Sequence, residues 1–254
     1  MKLISEGTLF PQAFARRAAA LARKELYSHS NSPAFYGIAL FFLLFTSIWL
    51  FYIQRYFTQD LASLRGYFAA FPLAFIFVIP GITMKSWAEE RKTGSVELLL
   101  TMPFSEWELV LGKYLSSLGV LVFILLLTIP LPLSLIPLGH FEGGVIVAEY
   151  VGTLLLGSAA LSLGLLLSSL SKNQAGAFLG SAVVLMAVML VQQITFSLEL
   201  PAALAGALNF ISLAFHFESF AKGLLDSRDL VFFILATVLF LFLNTRVILY
   251  RKWR

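Results

Sequence analysis

Polar chemistry is concentrated in one stretch of this sequence, Lys85-Ser-Trp-Ala-Glu-Glu-Arg-Lys-Thr-Gly-Ser-Val-Glu-Leu-Leu-Leu-Thr-Met-Pro-Phe-Ser-Glu-Trp-Glu108. Glu89, Glu90, Arg91 and Lys92 offer charge-assisted hydrogen bonds to another surface. Val96, Leu98, Leu99 and Leu100 can pack onto whatever lies beneath them. Two Ser-x-x-Glu capping boxes, Ser86 with Glu89 and Ser105 with Glu108, mark helix starts, and Gly94 and Pro103 mark breaks. The spacing predicts a short charged helix over 86–92, a turn at Thr93–Gly94, an apolar helix over 95–101 and a second turn at Pro103. Two short helices across the mouth of a bundle make a rigid surface for docking a soluble partner. A capped, solvated connecting loop would satisfy the same residues, so residue types alone leave both readings open.

Other chemistries lack their residues. A phosphate-binding Gly-x-x-x-x-Gly-Lys-Ser/Thr loop is absent: the only Gly-Lys pair, Gly112–Lys113, is followed by Tyr114 and has Trp107 where the first glycine should stand. Gly112 is expected to permit close helix packing, and Lys113 to mark a membrane interface. His29, His140 and His216 form no His-Glu-x-x-His zinc motif, and the chain has 0 cysteines. No catalytic or metal-ligating set is therefore expected, and the chain does not read as an enzyme. Glu142 and Glu149, beside apolar runs, are expected at interfaces. Gln192, Gln193 and Thr195 form the polar cluster that could line a pathway.

The elements that position these residues follow from composition. The chain has 254 residues, 59% hydrophobic and 13% charged, with a mean hydropathy of +0.87. Soluble domains carry about 25% charge, so this chain reads as an all-α membrane protein. Its net charge of +4 flanks apolar runs instead of forming a basic face, which argues against nucleic acid. A crossing helix needs about 20 apolar residues, and six runs supply it, predicting spans of about 33–54, 66–84, 109–137, 148–171, 174–198 and 230–250. A seventh apolar stretch, Leu200–Phe217, is interrupted by Pro201, Gly206, Asn209 and His216 and reads as re-entrant or interfacial.

Cation bias sets the orientation. With the N-terminus inside, 14 of the 18 Lys and Arg lie on the inner side, leaving Arg55, Arg65, Lys222 and Arg228 outside. Residues 1–30 precede the spans without the pattern of a cleavable signal. Within them Phe10, Phe14 and Leu21 share one helical face with Arg16 and Arg23 opposite, the pattern of an interfacial helix lying on the bilayer. A solvated basic arm is the plainer alternative. Ser32 and Pro33 read as N-cap and first residue of the first span, and Pro72, Pro80, Pro130 and Pro132 should interrupt the second and third. Gly176-x-x-x-Gly180, and Gly157, Ala160, Gly164 and Ser168, permit close approach between helices.

The run Pro80–Pro103, followed by Leu111-Gly-Lys-Tyr114, resembles the signature of type-2 ABC exporter permeases, most nearly the gliding-motility-associated branch. Asn31-Ser-Pro33, Leu170-Ser-Lys-Asn-Gln174 and Phe217–Asp226 extend the likeness over most of the chain. The resemblance implies six transmembrane helices, an N-terminal interfacial helix, and a cytoplasmic coupling helix between spans two and three. That helix sits in a groove of a separate ATP-binding subunit. Glu89, Glu90, Arg91 and Gly94 carry over as coupling positions, with Ser86, Lys92 and Glu97 beside them. Two copies of the ATP-binding subunit would hold ATP and Mg, leaving no cofactor in this chain. The second membrane subunit would be another permease copy or an auxiliary membrane protein with an extracytoplasmic domain. The implied function is export of a lipidic, amphipathic or polymeric substrate across a bacterial cytoplasmic (inner) membrane, with both termini cytoplasmic. The alternative is a non-transporting anchor that turns the partner's ATP hydrolysis into mechanical work on cell-envelope or gliding machinery.

Overall fold

In hydrocarbon every backbone N–H and C=O must be bonded within its own segment, so apolar runs of this length fold as helices. The computed structural model describes residues 6–56, 63–95, 102, 104–138, 141–197 and 201–252, and among these there is no strand. The helices are α1 (Glu6–Ser30), α2 (Pro33–Ile48), α3 (Arg65–Phe68), α4 (Ala70–Thr83), α5 (Ala88–Thr93) and α6 (Glu106–Thr128). They continue as α7 (Pro130–Leu135), α8 (Gly143–Leu170), α9 (Gln174–Ser197), α10 (Ala202–Ile211), α11 (Leu213–Ala221) and α12 (Ser227–Lys252).

Six helical stretches are long and apolar enough to cross a membrane: Pro33–Ile53, Arg65–Thr93, Glu106–Leu135, Gly143–Leu170, Gln174–Thr195 and Ser227–Arg251. The second and fourth are 72% and 67% buried, the other four between 22% and 39%. The bundle is therefore built around α4 and α8, with α2, α6, α9 and α12 presenting apolar side chains outward. α4 contributes Phe71, Phe75 and Ile79, all fully buried. α8 meets it through small residues: a Cβ on Gly164 would lie 2.7 Å from Thr83 Oγ1, and one on Gly157 2.5 Å from Leu121 Cδ2 of α6. These close approaches lie within the chain. Gly180 of the Gly-x-x-x-Gly pair faces open space.

Of the four prolines, Pro72, Pro130 and Pro132 fall in the first turn of a helix, and Pro80 lies inside α4. Pro130 opens α7 after a break at Ile129, and Pro72 lies in the first turn of α4, where an N–H would be unbonded in any case. Ser32 has N-cap geometry, but its hydroxyl makes no cap bond; it accepts from Lys85 Nζ at 3.0 Å instead. The segment expected to be re-entrant forms α10 and α11, bent by 82° at Ser212. Two arms of about 14 Å at that angle reach about 20 Å end to end, short of the roughly 30 Å hydrocarbon core.

Candidate functional site

The charged loop folds back onto one end of the bundle, hereafter the loop end. Of the two capping boxes, Ser105 with Glu108 forms in full: Ser105 Oγ accepts from the Glu108 N–H at 3.2 Å and Glu108 Oε2 accepts from the Ser105 N–H at 2.8 Å. The Ser86–Glu89 box does not form. Ser86 still belongs to the turn that closes α4, its N–H bonded to Thr83 O, and Trp87 takes the N-cap position of α5 without a side-chain bond. The reason is burial. Trp87 is 1% exposed, and its backbone N–H donates to Ser168 Oγ of α8, so an orphan donor of the helix start is satisfied from another helix.

From there α5 divides into two faces. Ser86 and Trp87 are buried and Glu90 and Arg91 half-buried, whereas Glu89, Lys92, Thr93 and Gly94 are exposed. Gly94 ends the helix at φ 73°, the left-handed C-cap that glycine adopts without strain. The apolar helix expected over 95–101, Glu97 and Pro103 lie outside the described residues, apart from Ser95 and its bond to Glu90 O.

The inward face is wired to three other helices. Arg91 donates to the carbonyls of Ser169 at 3.5 Å, of Leu170 at 3.2 Å and of Ser171, so a cation caps the C-terminus of α8 where the macrodipole favours one. Glu90 Oε1 accepts from Lys113 Nζ of α6 at 2.7 Å, and Glu25 of α1 approaches the same ammonium at 3.5 Å. Lys113 is 1% exposed and lies over the Trp87 ring, 4.8 Å from its centroid. A buried ammonium needs partners of this kind. Lys113 is thus the hub of the site and not a surface marker. Its sequence signal is a lone cation inside an apolar run, seven residues after the helix start.

α1 runs parallel to the first half of α6. Leu21 packs on Gly112, where a Cβ would meet it at 2.7 Å, and Leu26 reaches Gly119. Leu21 is accordingly buried in protein instead of facing lipid; Phe14 is half-buried, Arg16 and Arg23 are exposed, and the side chain of Phe10 lies outside the described residues. Arg17, which interrupts the apolar face, meets Glu108 at 3.9 Å. A polar cleft of about 340 Å³ opens between α1 and α5, edged by Lys24, Glu25, His29, Lys85, Glu89 and Glu90. Burial holds His29 below its usual value; Glu25 opposes this, and Lys113 and Lys85 add to it.

The opposite end carries a second polar group. Gln192 Nε2 donates to Glu218 Oε2 at 2.9 Å and Thr195 Oγ1 donates to Asn209 Oδ1 at 2.7 Å, tying α9 to α11 and α10, while Gln193 is exposed. His216 is buried, bonded through Nδ1 to Asp229 at 2.7 Å and stacked on Phe232 at 3.7 Å. Glu149, expected at an interface, is instead fully buried on α8, and neither carboxylate oxygen has a hydrogen-bond partner among the described residues. Among those residues no group of three or more His, Asp or Glu gathers as a metal would require.

Comparison with known proteins bears on the whole bundle. Residues 30–245 match the family described as ABC-2 family transporter protein. The chain is also similar to the probable multidrug ABC transporter permease YbhR of Escherichia coli strain K12 and to the protein of that name in Escherichia coli O157:H7, 28% identical over 141 residues in each case. That stretch covers 56% of this chain and 38% of either relative.

Proposed function

The chain belongs to the ABC-2 transporter family, a multi-pass membrane protein, and from that premise we propose that it is the permease subunit of an ATP-driven exporter. α5 acts as the coupling helix of a loop end that lies in the cytoplasm, the placement supported by 14 of 18 cations on that side. The observation that carries this reading is the division of α5 into an exposed charged face and an inward face bonded directly to α6 and α8 and linked to α1 through Lys113. Glu89, Lys92 and Gly94 are then free to meet an ATP-binding subunit. Glu90 and Arg91 pass its movement on.

The partner, present in two copies, holds ATP and Mg and closes on binding them. A push on α5 reaches α8 through Arg91 and reaches α6 and α1 through the Glu90–Lys113–Glu25 chain. These elements then shift as one unit, and the bundle opens away from the loop end. The apolar interior favours a lipidic, amphipathic or polymeric cargo. The second membrane subunit is a further copy of this chain or an auxiliary protein, and the assembly works in a bacterial inner membrane. The sequence stretches quoted above favour the gliding-motility branch within the family.

Co-expression with the ATP-binding subunit tests the reading. Glu89→Ala/Lys92→Ala should lose the co-purified subunit while leaving the thermal stability of the permease unchanged. Glu90→Ala should retain the subunit but uncouple its ATP turnover from flux in vesicles. A Glu89→Ala/Lys92→Ala chain that still binds the subunit with unaltered turnover would remove α5 as the docking element.

A further inference from the structure

α1 has a second side, turned away from the charge cluster. Between its C-terminal half, the first turn of α2 and the middle of α6 runs a groove of about 490 Å³, within the roughly 300–1,000 Å³ of small-ligand sites. Its floor is Gly119, Val120 and Phe123, walled by Leu26 and Phe35. Arg23 edges one end, and Ser30, about 10 Å further along α1, edges the other. Arg23 is exposed and pairs with no carboxylate among the described residues.

The two ends stand at different depths. Leu21 packs at Gly112 and Leu26 at Gly119, which sets Arg23 close to the level of Lys113. Phe123 lies ten residues beyond Lys113 on the same helix, about 15 Å along the axis. The groove therefore runs from a guanidinium near the level of Lys113 to an aromatic floor at Phe123, which packs on Phe35 in the first turn of α2, where the first span begins. Tyr27 and Tyr36, 71% and 61% exposed, flank it as tyrosines flank bilayer interfaces.

We propose that this groove binds one anionic phospholipid of the leaflet at the loop end, its phosphate at Arg23 and an acyl chain along Val120 and Phe123. Basic pockets between membrane helices on the cytoplasmic side recognise anionic headgroups by this combination of charge and depth. A second copy of the chain is the poorer occupant. A two-fold contact through this face would set the Arg16 and Arg23 stripe against its own copy, with no carboxylate in the groove to offset it. The proposal rests on the cytoplasmic placement of the loop end given under Proposed function. It goes beyond that reading by assigning α1 a resident lipid that ties it to the membrane, apart from any cargo.

Native mass spectrometry of the full chain, released from nanodiscs of equal phosphatidylglycerol and phosphatidylcholine, measures occupancy. The wild type should retain one phosphatidylglycerol in preference to phosphatidylcholine. Arg23→Gln should lower that preference about fivefold, the weight of one basic residue at an anionic surface. Gly119→Leu, where a Cβ first meets Leu26 at 3.4 Å, should fill the groove and lose both lipids with the fold intact. Unchanged phosphatidylglycerol retention in both variants would overturn the proposal. So would efficient disulfide formation between copies through Tyr36→Cys, since the chain has 0 cysteines of its own and such a bond would put a second subunit over the groove. Placement is read separately. Arg16→Cys should react with an impermeant maleimide only after lysis, and labelling of intact cells would sink the cytoplasmic assignment whatever the lipid result.

Discussion

Lys113 and Glu149 are both ionisable, both shielded from solvent, and set at opposite ends of the same bundle. Lys113 has Glu90 at 2.7 Å, Glu25 at 3.5 Å and the face of Trp87. Glu149 has no hydrogen-bond partner for either oxygen among the described residues. Burial of a charge is costly unless it is paired, so the two sites hold opposite kinds of energy. At Lys113 the cost of desolvation is offset by contacts that three separate elements must converge to make. At Glu149 the charge of Arg65 offsets it only in part, with no hydrogen bond to the carboxylate among the described residues. The loop end is thus built to keep its parts together, whereas Glu149 on α8 is held at a cost by its surroundings.

Removing Lys113 should have the largest effect. Lys113→Ala leaves the half-buried Glu90 without its cation and should destabilise the chain by up to about 3–5 kcal/mol, the cost of breaking a buried pair, read as a lowered melting temperature by intrinsic tryptophan fluorescence in mild detergent. Lys113→Met combined with Glu90→Gln should recover most of that loss, because it is the orphaned charge and not the missing pair that costs. A Lys113→Ala chain that melts with the wild type would break the comparison at its stronger side.

Glu149→Leu tests the other side and should move in the opposite direction. Removing an unbonded buried polar group should raise stability by about 1–3 kcal/mol, measured in the same melt. A loss instead would mean that Glu149 finds its partner in another chain. Arg91→Gln comes next: it withdraws the cation from the C-terminus of α8 and should cost about 1–2 kcal/mol. Arg91→Lys should restore only part, since it keeps a cation at the helix C-terminus but loses the planar guanidinium that holds Nη1 among the three carbonyls.

The smallest effect should be a pH slope from His29, on the edge of the Lys113 cluster. Its value is held below the ordinary 6.5 in the folded chain, so below pH 6.5 the unfolded state binds more protons than the folded one. Stability should then fall as pH drops from 6.5 toward the folded value and stay flat above it. His29→Gln should flatten that slope in melts taken between pH 5 and 7.5, and a slope that survives the substitution would assign it to another group.

Helix boundaries were legible wherever a local signal set them. Ser105 with Glu108 formed as read because both halves of the box lie within one turn. The same signal at Ser86 with Glu89 failed because Trp87 is drawn into the core and takes the cap position. Gly112 was legible as a close-packing residue, but its partner was not. Nothing in the spacing announces that Leu21 of α1 rests there, or that Glu25 then meets Lys113. Phe14 and Leu21 share a face as the 3.6-residue period requires, but the period does not say that Leu21 packs on Gly112 of α6 and not on lipid.

Residue types and their spacing are enough to read a helical membrane protein with six apolar helices, an interrupted seventh apolar stretch and one charged loop. Apolar length, proline and cation position are local quantities, and hydrocarbon leaves a backbone few ways to satisfy them. Packing settles which face of α5 is wired inward, that Lys113 joins α1, α5 and α6, and that Glu149 is buried without a hydrogen bond among the described residues. Each of those depends on side chains brought together across tens of residues by packing around α4 and α8, and periodicity fixes the face of a helix without fixing its neighbour.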